Sequence, residues 1–478
     1  MGGLSAAVEL SARPGWEVTV LEAASSPGGK VGVADHDGVS FDTGPSLLTL
    51  PDVLEELLAS RGRRLESLVT LTRPEPSMCY RFAGGEQLEV KRELEGTRHE
   101  VEQSLGKKAR RDFDAFLGYA RKIWEAAAPH FVFGPAPTAL TAVKLGVKAM
   151  RDFIAIDAKN TMMSALDSRV EDRRIRDLFL RYATFNGSDP RHAPATLHCI
   201  GWVDLGIGGW GVKGGMTKLA TALERVAREG GVDVKYDSPV RSIRKSDGTF
   251  EVQWEGGSRR VDAVIVNACA QQLVERLWQG DNGLGLRTDG IPSTSAFTAV
   301  IRARRRADRP AHALAFPDRD YMEEFVDLFD RGEPPKEPAI YLCAREKAHG
   351  AEGWADDETL FVMTNTPALS ELTTSVDWEQ FEARVLTRLR RLGWIDEGDR
   401  VVWRRTPQQL AARFPCSQGS LYGSASNSRL AAFRRPPNRA PGVSGLYLAG
   451  GSAHPGGGVP LCVQSGRQAA SELLADCR

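Results

Sequence analysis

The stretch that most constrains this chain is residues 445–474, GLYLAGGSAHPGGGVPLCVQSGRQAASELL. Its apolar start reads as a buried strand, and the pattern from Pro460 onward reads as a helix. Between them stand Gly450, Gly451, Gly456, Gly457 and Gly458. Backbone without side chains lets a flat ligand approach to van der Waals distance. Pro460 suits the first turn of a helix, where its missing N–H costs little. Such a helix start aims unpaired N–H groups and a positive dipole end into the gap. A reduced flavin ring, which gathers negative charge, suits that place. An ordinary strand–turn–helix crossover with no ligand would carry the same residues.

The 478 residues suffice for about two or three domains and a large core. With 42% hydrophobic and 26% charged residues, the chain falls in the globular class. Lys+Arg and Asp+Glu both number 62, so nothing argues for a polyanionic partner. No basic stripe with interleaved aromatics points to nucleic acid. The basic run Arg388–Arg391 reads as a solvated helix face. Seven cysteines (Cys79, Cys199, Cys269, Cys343, Cys416, Cys462, Cys477) are scattered without metal-site spacing. No metal is therefore expected, and a reducing cytosol is the simplest compartment.

The first residues show a helix pattern rather than a signal peptide. No apolar run reaches the roughly 18–20 residues of a membrane-spanning helix. The nearest is 131–143, FVFGPAPTALTAV, followed by Lys144 and Lys148. It suits an interfacial segment, and a buried helix or a lid loop are the other readings. The expected location is cytoplasmic, with peripheral attachment to a membrane surface.

MGGLSAAVELSA (1–12) reads as a helix with small residues Gly2, Gly3, Ala6 and Ala7 on one face. EVTVLEA (17–23) follows as a strand of alternating β-branched residues ending in Glu22. An acidic residue there, after a glycine turn, is the ribose acceptor of dinucleotide folds. A Rossmann unit opens on an apolar strand and G-x-G. Here Gly3 takes the place of the third glycine, so the first strand is expected to be truncated. Pro27-Gly28-Gly29 forms a tight turn with the cation Lys30 beside it, suited to a diphosphate. Thr43, Gly44, Pro45 and Ser46 make a second turn. Each turn alone also reads as a surface hairpin; behind Glu22, the pair favours a flavin diphosphate.

From about 51 to 204, helical periodicity dominates, as in KARRDFDAFLGYARKIWEAAA. GVKGGMTKLATALERVARE opens another helix, and short strands follow in VDVKY, PVRSIRK, FEVQWEG and DAVIVNA. Residues 291–414 read as a second mixed segment containing FTAVIRA, TLFVMTN and a proline-rich loop EPPKEP (333–338) expected to be exposed. The expected fold is α/β: a Rossmann-like cofactor domain interleaved with a mixed α+β substrate domain. The cofactor domain takes 1–80, 205–290 and 415–478. A helical, membrane-associated substrate region takes 81–204, and its second part takes 291–414.

Together, GGLSAAVEL, VTVLEA, PGGKVG, FDTGPS, GVKGGMTKLATAL, DAVIVNA and GLYLAGGSAHPGGGVP resemble the FAD-dependent carotenoid desaturase family. That family includes phytoene desaturases and lies within the amine-oxidase-like flavoproteins. The likeness runs nearly end to end. SLYGSASNSRLAAFRRP and GGSAHPGGGVP are most similar to the 1-hydroxycarotenoid 3,4-desaturase, or methoxyneurosporene dehydrogenase, type.

The resemblance implies FAD as cofactor and an acyclic carotenoid as substrate. It implies hydride removal to the flavin with formation of a C=C bond, and oxygen or a quinone as electron acceptor. It makes Gly3 the last glycine of the dinucleotide motif and Glu22 the adenosine-ribose acceptor. Gly28, Gly29 and Lys30 would meet the diphosphate and ribityl chain, with Lys30 standing where the family carries arginine. Thr43, Gly44, Pro45 and Ser46 would sit near the flavin ring, and Val240 would hold adenine by its backbone. Gly450, Gly451, Gly458, Val459, Pro460 and Leu461 would line the pyrimidine side.

No Ser/His/Asp or metal constellation competes with a cofactor-led reaction. His454 is the one titratable side chain in the ring-side turn; it reads as a proton-handling group or as a structural cap. Trp202, Trp210 and Tyr182 read as polyene-stacking rings or as core. A phytoene desaturase, a redox-neutral carotenoid isomerase and a non-catalytic prenyl carrier remain open beside the 3,4-desaturase reading.

Overall fold

In the computed structural model, the structure describes residues 1–137, 155–280, 283–370, 372–428 and 431–477. The first helix, Gly2–Ser11, buries Leu4, Ala6, Ala7, Val8 and Leu10. It lies against the last helix, Val459–Asp476, and against the helix Thr217–Glu229. The approach to the last helix is close because glycines meet there. A Cβ on Gly466 would stand 2.1 Å from the Gly2 carbonyl oxygen.

Two parallel strand pairs flank these helices. Thr19–Leu21 pairs with Asp233–Lys235, and Val264–Val266 pairs with Leu446–Leu448. Parallel pairing between segments so far apart in sequence requires helical crossovers, which the helices Thr217–Glu229 and Val459–Asp476 adjoin. A three-stranded antiparallel sheet, Val240–Ser246, Thr249–Trp254 and Gly257–Val261, extends this half. Its first turn is Asp247-Gly248, with φ of 51° and 80°. Both residues sit in the left-handed region, which suits a tight hairpin. Asp37-Gly38 makes the same turn between Val33–His36 and Val39–Asp42.

The second half is built on a seven-stranded sheet. Its order is Arg400–Arg405, Ser295–Arg304, Asp357–Thr366, Ile340–Ala344, His312–Ala315, Met78–Arg81 and Gln87–Val90. Only the pairing of His312–Ala315 with Met78–Arg81 is parallel. The helix Trp378–Arg391 lays Phe381, Val385 and Leu389 on Phe297, Ile301, Leu342 and Val362. At the other end, Tyr80, Phe82, Leu88 and Phe316 pack with Phe113, Phe116, Leu178, Phe179 and Tyr182 in one aromatic-rich core.

The structure revises two sequence expectations. The stretch 51–204 also contains strands, and Met78–Arg81 straddles the expected boundary at 80/81. The 333–338 loop is only partly exposed: Glu333 and Lys336 face solvent, whereas Pro334, Pro335 and Pro338 are buried. Arg388 Nη1 donates to the Pro338 carbonyl, and Lys336 N–H donates to Asp327 Oδ2 at 3.0 Å, so polar partners draw the segment inward. Of the apolar stretch 131–143, residues 131–137 are described; 138–143, Lys144 and Lys148 lie outside the described residues. No helix among the described residues is long and apolar enough to cross a membrane.

Candidate functional site

The site is built where the glycine-rich segments from both halves of the sequence meet. Gly3 N–H donates to Asn267 Oδ1 at 2.8 Å, and Asn267 Nδ2 donates to the Ala449 carbonyl at 2.9 Å. One amide side chain thus joins the first helix to the strand that leads into Gly450. A Cβ on Gly450 would lie 2.2 Å from Asn267 Nδ2, and φ at Gly450 is +98°. Sequence reasoning passed over Asn267. Its signal is a polar residue directly after the apolar run Val264–Val266.

Glu22 follows the strand Thr19–Leu21. Its Oε1 accepts the Ala24 N–H at 2.9 Å, as in an Asx-like turn. It lies within electrostatic reach of the Met1 amine. Burial lowers that amine's pKa, while Cys462 and Glu22 act the other way. Val240 opens the strand Val240–Ser246 and packs against the core around Ile243 and Leu446.

The two front turns lock together. Gly28 has φ of +115°, and a Cβ there would stand 2.3 Å from the Val31 carbonyl oxygen. A Cβ on Gly44 would stand 2.0 Å from the Lys30 carbonyl oxygen. Thr43 N–H donates to the Gly32 carbonyl at 2.8 Å. The preceding residue, Asp42, anchors the pair from below. It is buried and accepts N–H bonds from Met216 at 2.8 Å and Thr217 at 3.2 Å. Asp42 thereby caps the helix Thr217–Glu229 from another segment, where a carboxylate is favoured by orphan N–H groups and the dipole. Gly215, with φ of +111°, leaves room: a Cβ would lie 2.6 Å from Asp42 Oδ2.

Lys30 makes protein contacts of its own. Its Nζ donates to the Ser420 and Leu421 carbonyls, each at 2.8 Å. Burial lowers its pKa, and Cys269 and Cys462 oppose the shift. Lys30 ties the front turn to the 420–424 loop. Arg435 ties the same loop to the ring-side turn. Its Nη1 donates to Gly451 at 2.9 Å and to Tyr422 at 3.3 Å, and its Nη2 donates to Ser424 at 3.2 Å. Burial lowers Arg435 to about 10.

The turn before the last helix follows the sequence expectation for local structure. Gly458 precedes the last helix with φ of +111°, and Pro460 sits in its first turn. His454 is placed differently from a catalytic base facing open space. It is buried, and its Nε2 lies 3.0 Å from the Gly134 carbonyl oxygen. Burial lowers it to about 4, so it is neutral near pH 7 and Nε2–H donates to that carbonyl. Its own carbonyl accepts Asn438 Nδ2 at 2.9 Å and Ser465 Oγ at 2.6 Å. Trp210 exchanges backbone hydrogen bonds with Leu48 at 2.8 Å, just past Ser46. Tyr182 is fully buried, and Trp202 packs against the same aromatic core.

A model of the family described as flavin containing amine oxidoreductase matches residues 1–474. The chain belongs to this family. It is 33% identical to hydroxyneurosporene desaturase of Cereibacter sphaeroides, across 100% of this chain and 96% of the relative. It is 30% identical to a zeta-carotene-forming phytoene desaturase of Myxococcus xanthus, across 99% and 92%. Among solved structures, a putrescine oxidase variant matches with TM-score 0.63 at 16% identity, covering 99% of this chain and 97% of that one. Cyclohexylamine oxidase from Brevibacterium oxydans matches at 0.62 and 14%, covering 99% and 96%. These structures share the fold.

The chain is thus an oxidoreductase that works with FAD, as flavin-containing amine oxidoreductases do, and its residues fit a flavin. Thr43 Oγ1 is buried with no partner among the described residues, a hydroxyl set for a polar ring edge. A Cβ at Gly29 or Gly458 would meet no protein atom within 4 Å, so both α-carbons face open space. Gly450, Gly451 and Gly458 lie in the turn before the last helix, and Thr43 and Gly44 lie in the second front turn.

Proposed function

We propose that this chain desaturates an acyclic carotenoid, and that its preferred substrate is hydroxylated at one end, as for a 1-hydroxycarotenoid 3,4-desaturase. The observation that carries the reading is the end-to-end likeness to hydroxyneurosporene desaturase, spanning 100% of this chain. A 1-hydroxycarotenoid 3,4-desaturase of Flavobacterium is also similar, at 27% identity over 98% of the chain. An aromatic-rich core, on which Leu47 next to Ser46 packs, suits a long apolar chain.

In this reading Gly3, Glu22, Gly28, Gly29, Lys30, Thr43, Gly44, Pro45, Ser46 and Val240 hold the FAD from the front. Gly450, Gly451, Gly458, Val459, Pro460 and Leu461 hold it from the back. Bound flavin supplies hydride-accepting chemistry that no side chain offers. The helix start at Val459 places N–H groups and a positive dipole end at the cleft. Lys30 and Arg435 hold the 420–424 loop over the same cleft and keep water out. His454, bonded to Gly134, positions the ring-side turn against the 132–134 backbone, where Gln468 Nε2 also donates to Gly134. The interleaved five-part domain division belongs to the same reading.

Phe133 is 41% exposed beside that docking point. It supports a membrane-surface role for the segment, from which an oily substrate enters, with oxygen or a quinone taking the electrons. A relative named 4,4'-diapolycopene oxygenase, 29% identical over 100% of the chain, favours oxygenation as the second reading.

Product mass tests these readings. FAD-loaded protein given a hydroxylated acyclic carotenoid and an electron acceptor is expected to yield product lacking two hydrogens, with absorption shifted to the red. Unchanged mass with altered geometry would identify an isomerase, and added oxygen an oxygenase. A protein that binds the polyene and returns it unaltered would be a carrier.

A further inference from the structure

Arg181 is 4% exposed, inside the aromatic core. Its Cζ stands 5.1 Å from the ring centroid of Tyr80, 5.2 Å from Tyr182 and 4.8 Å from Phe185. Nη1 donates to the Tyr80 hydroxyl at 2.6 Å and lies 3.5 Å from Asp204 Oδ2. The Tyr182 hydroxyl donates to that same oxygen at 2.9 Å. Charge is therefore balanced, but hydrogen bonding is not. Arg181 Nε is buried with no partner among the described residues.

A buried donor without an acceptor is unfavourable. Because Asp204 already neutralises the guanidinium, a second anion would be buried without a counter-charge. The group that completes Arg181 is a neutral oxygen acceptor, such as an alcohol.

Chains of contact connect both glycine-rich segments to this core. From the front turn, Ser46 lies beside Tyr341, and Leu47 and Tyr341 pack on the core that holds Tyr80 and Tyr182. From the ring-side turn, Tyr422 lies against Gly457. The 420–428 loop then reaches the segment after Arg181: Ser426 Oγ donates to Asn186 Oδ1 at 3.1 Å, and Asp189 N–H to Asn427 Oδ1 at 2.8 Å.

We propose that Arg181, with Tyr80, Tyr182 and Asp204, recognises the terminal hydroxyl of an otherwise hydrocarbon polyene. This rests on the carotenoid reading above and names the residues that set its end-group specificity. Arg181 Nε–H donates to the alcohol oxygen, and the aromatic core takes the apolar chain. A polyene without the hydroxyl leaves the donor unpaired, which lowers its affinity.

The test is equilibrium binding to FAD-loaded protein in detergent micelles, read by fluorescence quenching. The probes are an acyclic polyene bearing one tertiary hydroxyl and the same hydrocarbon without it. The wild type is expected to bind the hydroxylated probe about 10–100-fold more tightly. Arg181→Lys keeps the charge beside Asp204 but lacks the Nε–H. The double variant Arg181→Met with Asp204→Asn removes both charges and serves if the lysine variant does not fold. In either, the two probes are expected to bind alike, with hydrocarbon affinity retained. Equal binding by the wild type, or a preference kept in a folded variant, would overturn the assignment. A preference that vanishes in the variants supports it even if neither probe loses hydrogen; that last result would overturn only the desaturase reading.

Discussion

At the residue scale, single groups set the shape of the cleft. Gly458 has φ of +111°, and a methyl group there would touch no protein atom within 4 Å. Gly458→Ala therefore costs the fold only backbone strain, about 1–3 kcal/mol. The larger loss is expected in cofactor retention, seen as a several-fold lower flavin-to-protein absorbance ratio after gel filtration. A variant that kept full flavin content would take Gly458 out of the cofactor wall. Asp42 is a different case, because it joins segments. Asp42→Asn keeps an acceptor for Met216 or Thr217 but leaves the buried Arg345 guanidinium, 3.7 Å away, without its counter-charge. The expected loss is about 2 kcal/mol, from the weakened cap and the stranded cation. Urea unfolding checks it, and an unchanged midpoint would refute the cap.

At the element scale, the first and last helices act as one unit. Gly466 lets them touch, since its Cβ would stand 2.1 Å from Gly2 O and 3.0 Å from Ala6 N. Gly466→Ala must push the helices apart, at about 1–3 kcal/mol for overpacking. It should lower the thermal midpoint and the flavin content together, because the last helix begins at the cleft. Retained flavin with a lowered midpoint would uncouple the two. The helices Gly2–Ser11, Lys107–Ala127 and Thr217–Glu229 were legible from periodicity, and the turn before Val459 from its glycines and Pro460. Strands Met78–Arg81 and Gln87–Val90 were not. They are four residues each, and the parallel partner of Cys79 is Ala313, far along the chain. The roles of Asn267, Asp42 and Arg181 escaped for the same reason. Each is defined by a partner from a remote segment, and no local pattern encodes that meeting.

At the scale of the whole molecule, buried titratable groups pull stability in opposite directions with pH. Burial lowers His198 to about 4, His312 to about 3, and His349 and His454 to about 4. The unfolded chain takes up protons at these sites as pH falls below about 6.5, so they weaken the fold on acidification. Asp177 and Glu324 act oppositely. Burial raises each to about 7, so the folded chain keeps protons that the unfolded chain releases above about 4. Their contribution declines as pH rises from 4 to 7. Asp177→Asn removes one such decline. Its thermal midpoint relative to wild type is expected to climb between pH 4 and pH 7 and then level off. A difference independent of pH would show that Asp177 is ionised throughout.

The bridge from Asp42 to Met216 and Thr217, and the closing of the cleft by residues after Gly450, also order events during synthesis. With the flavin held from both ends as proposed, a ribosome has to deliver nearly the entire polypeptide before the pigment has a place to lodge. On the proposed binding mode, nascent and prematurely released products are expected to be colourless, and yellow colour to mark a finished molecule.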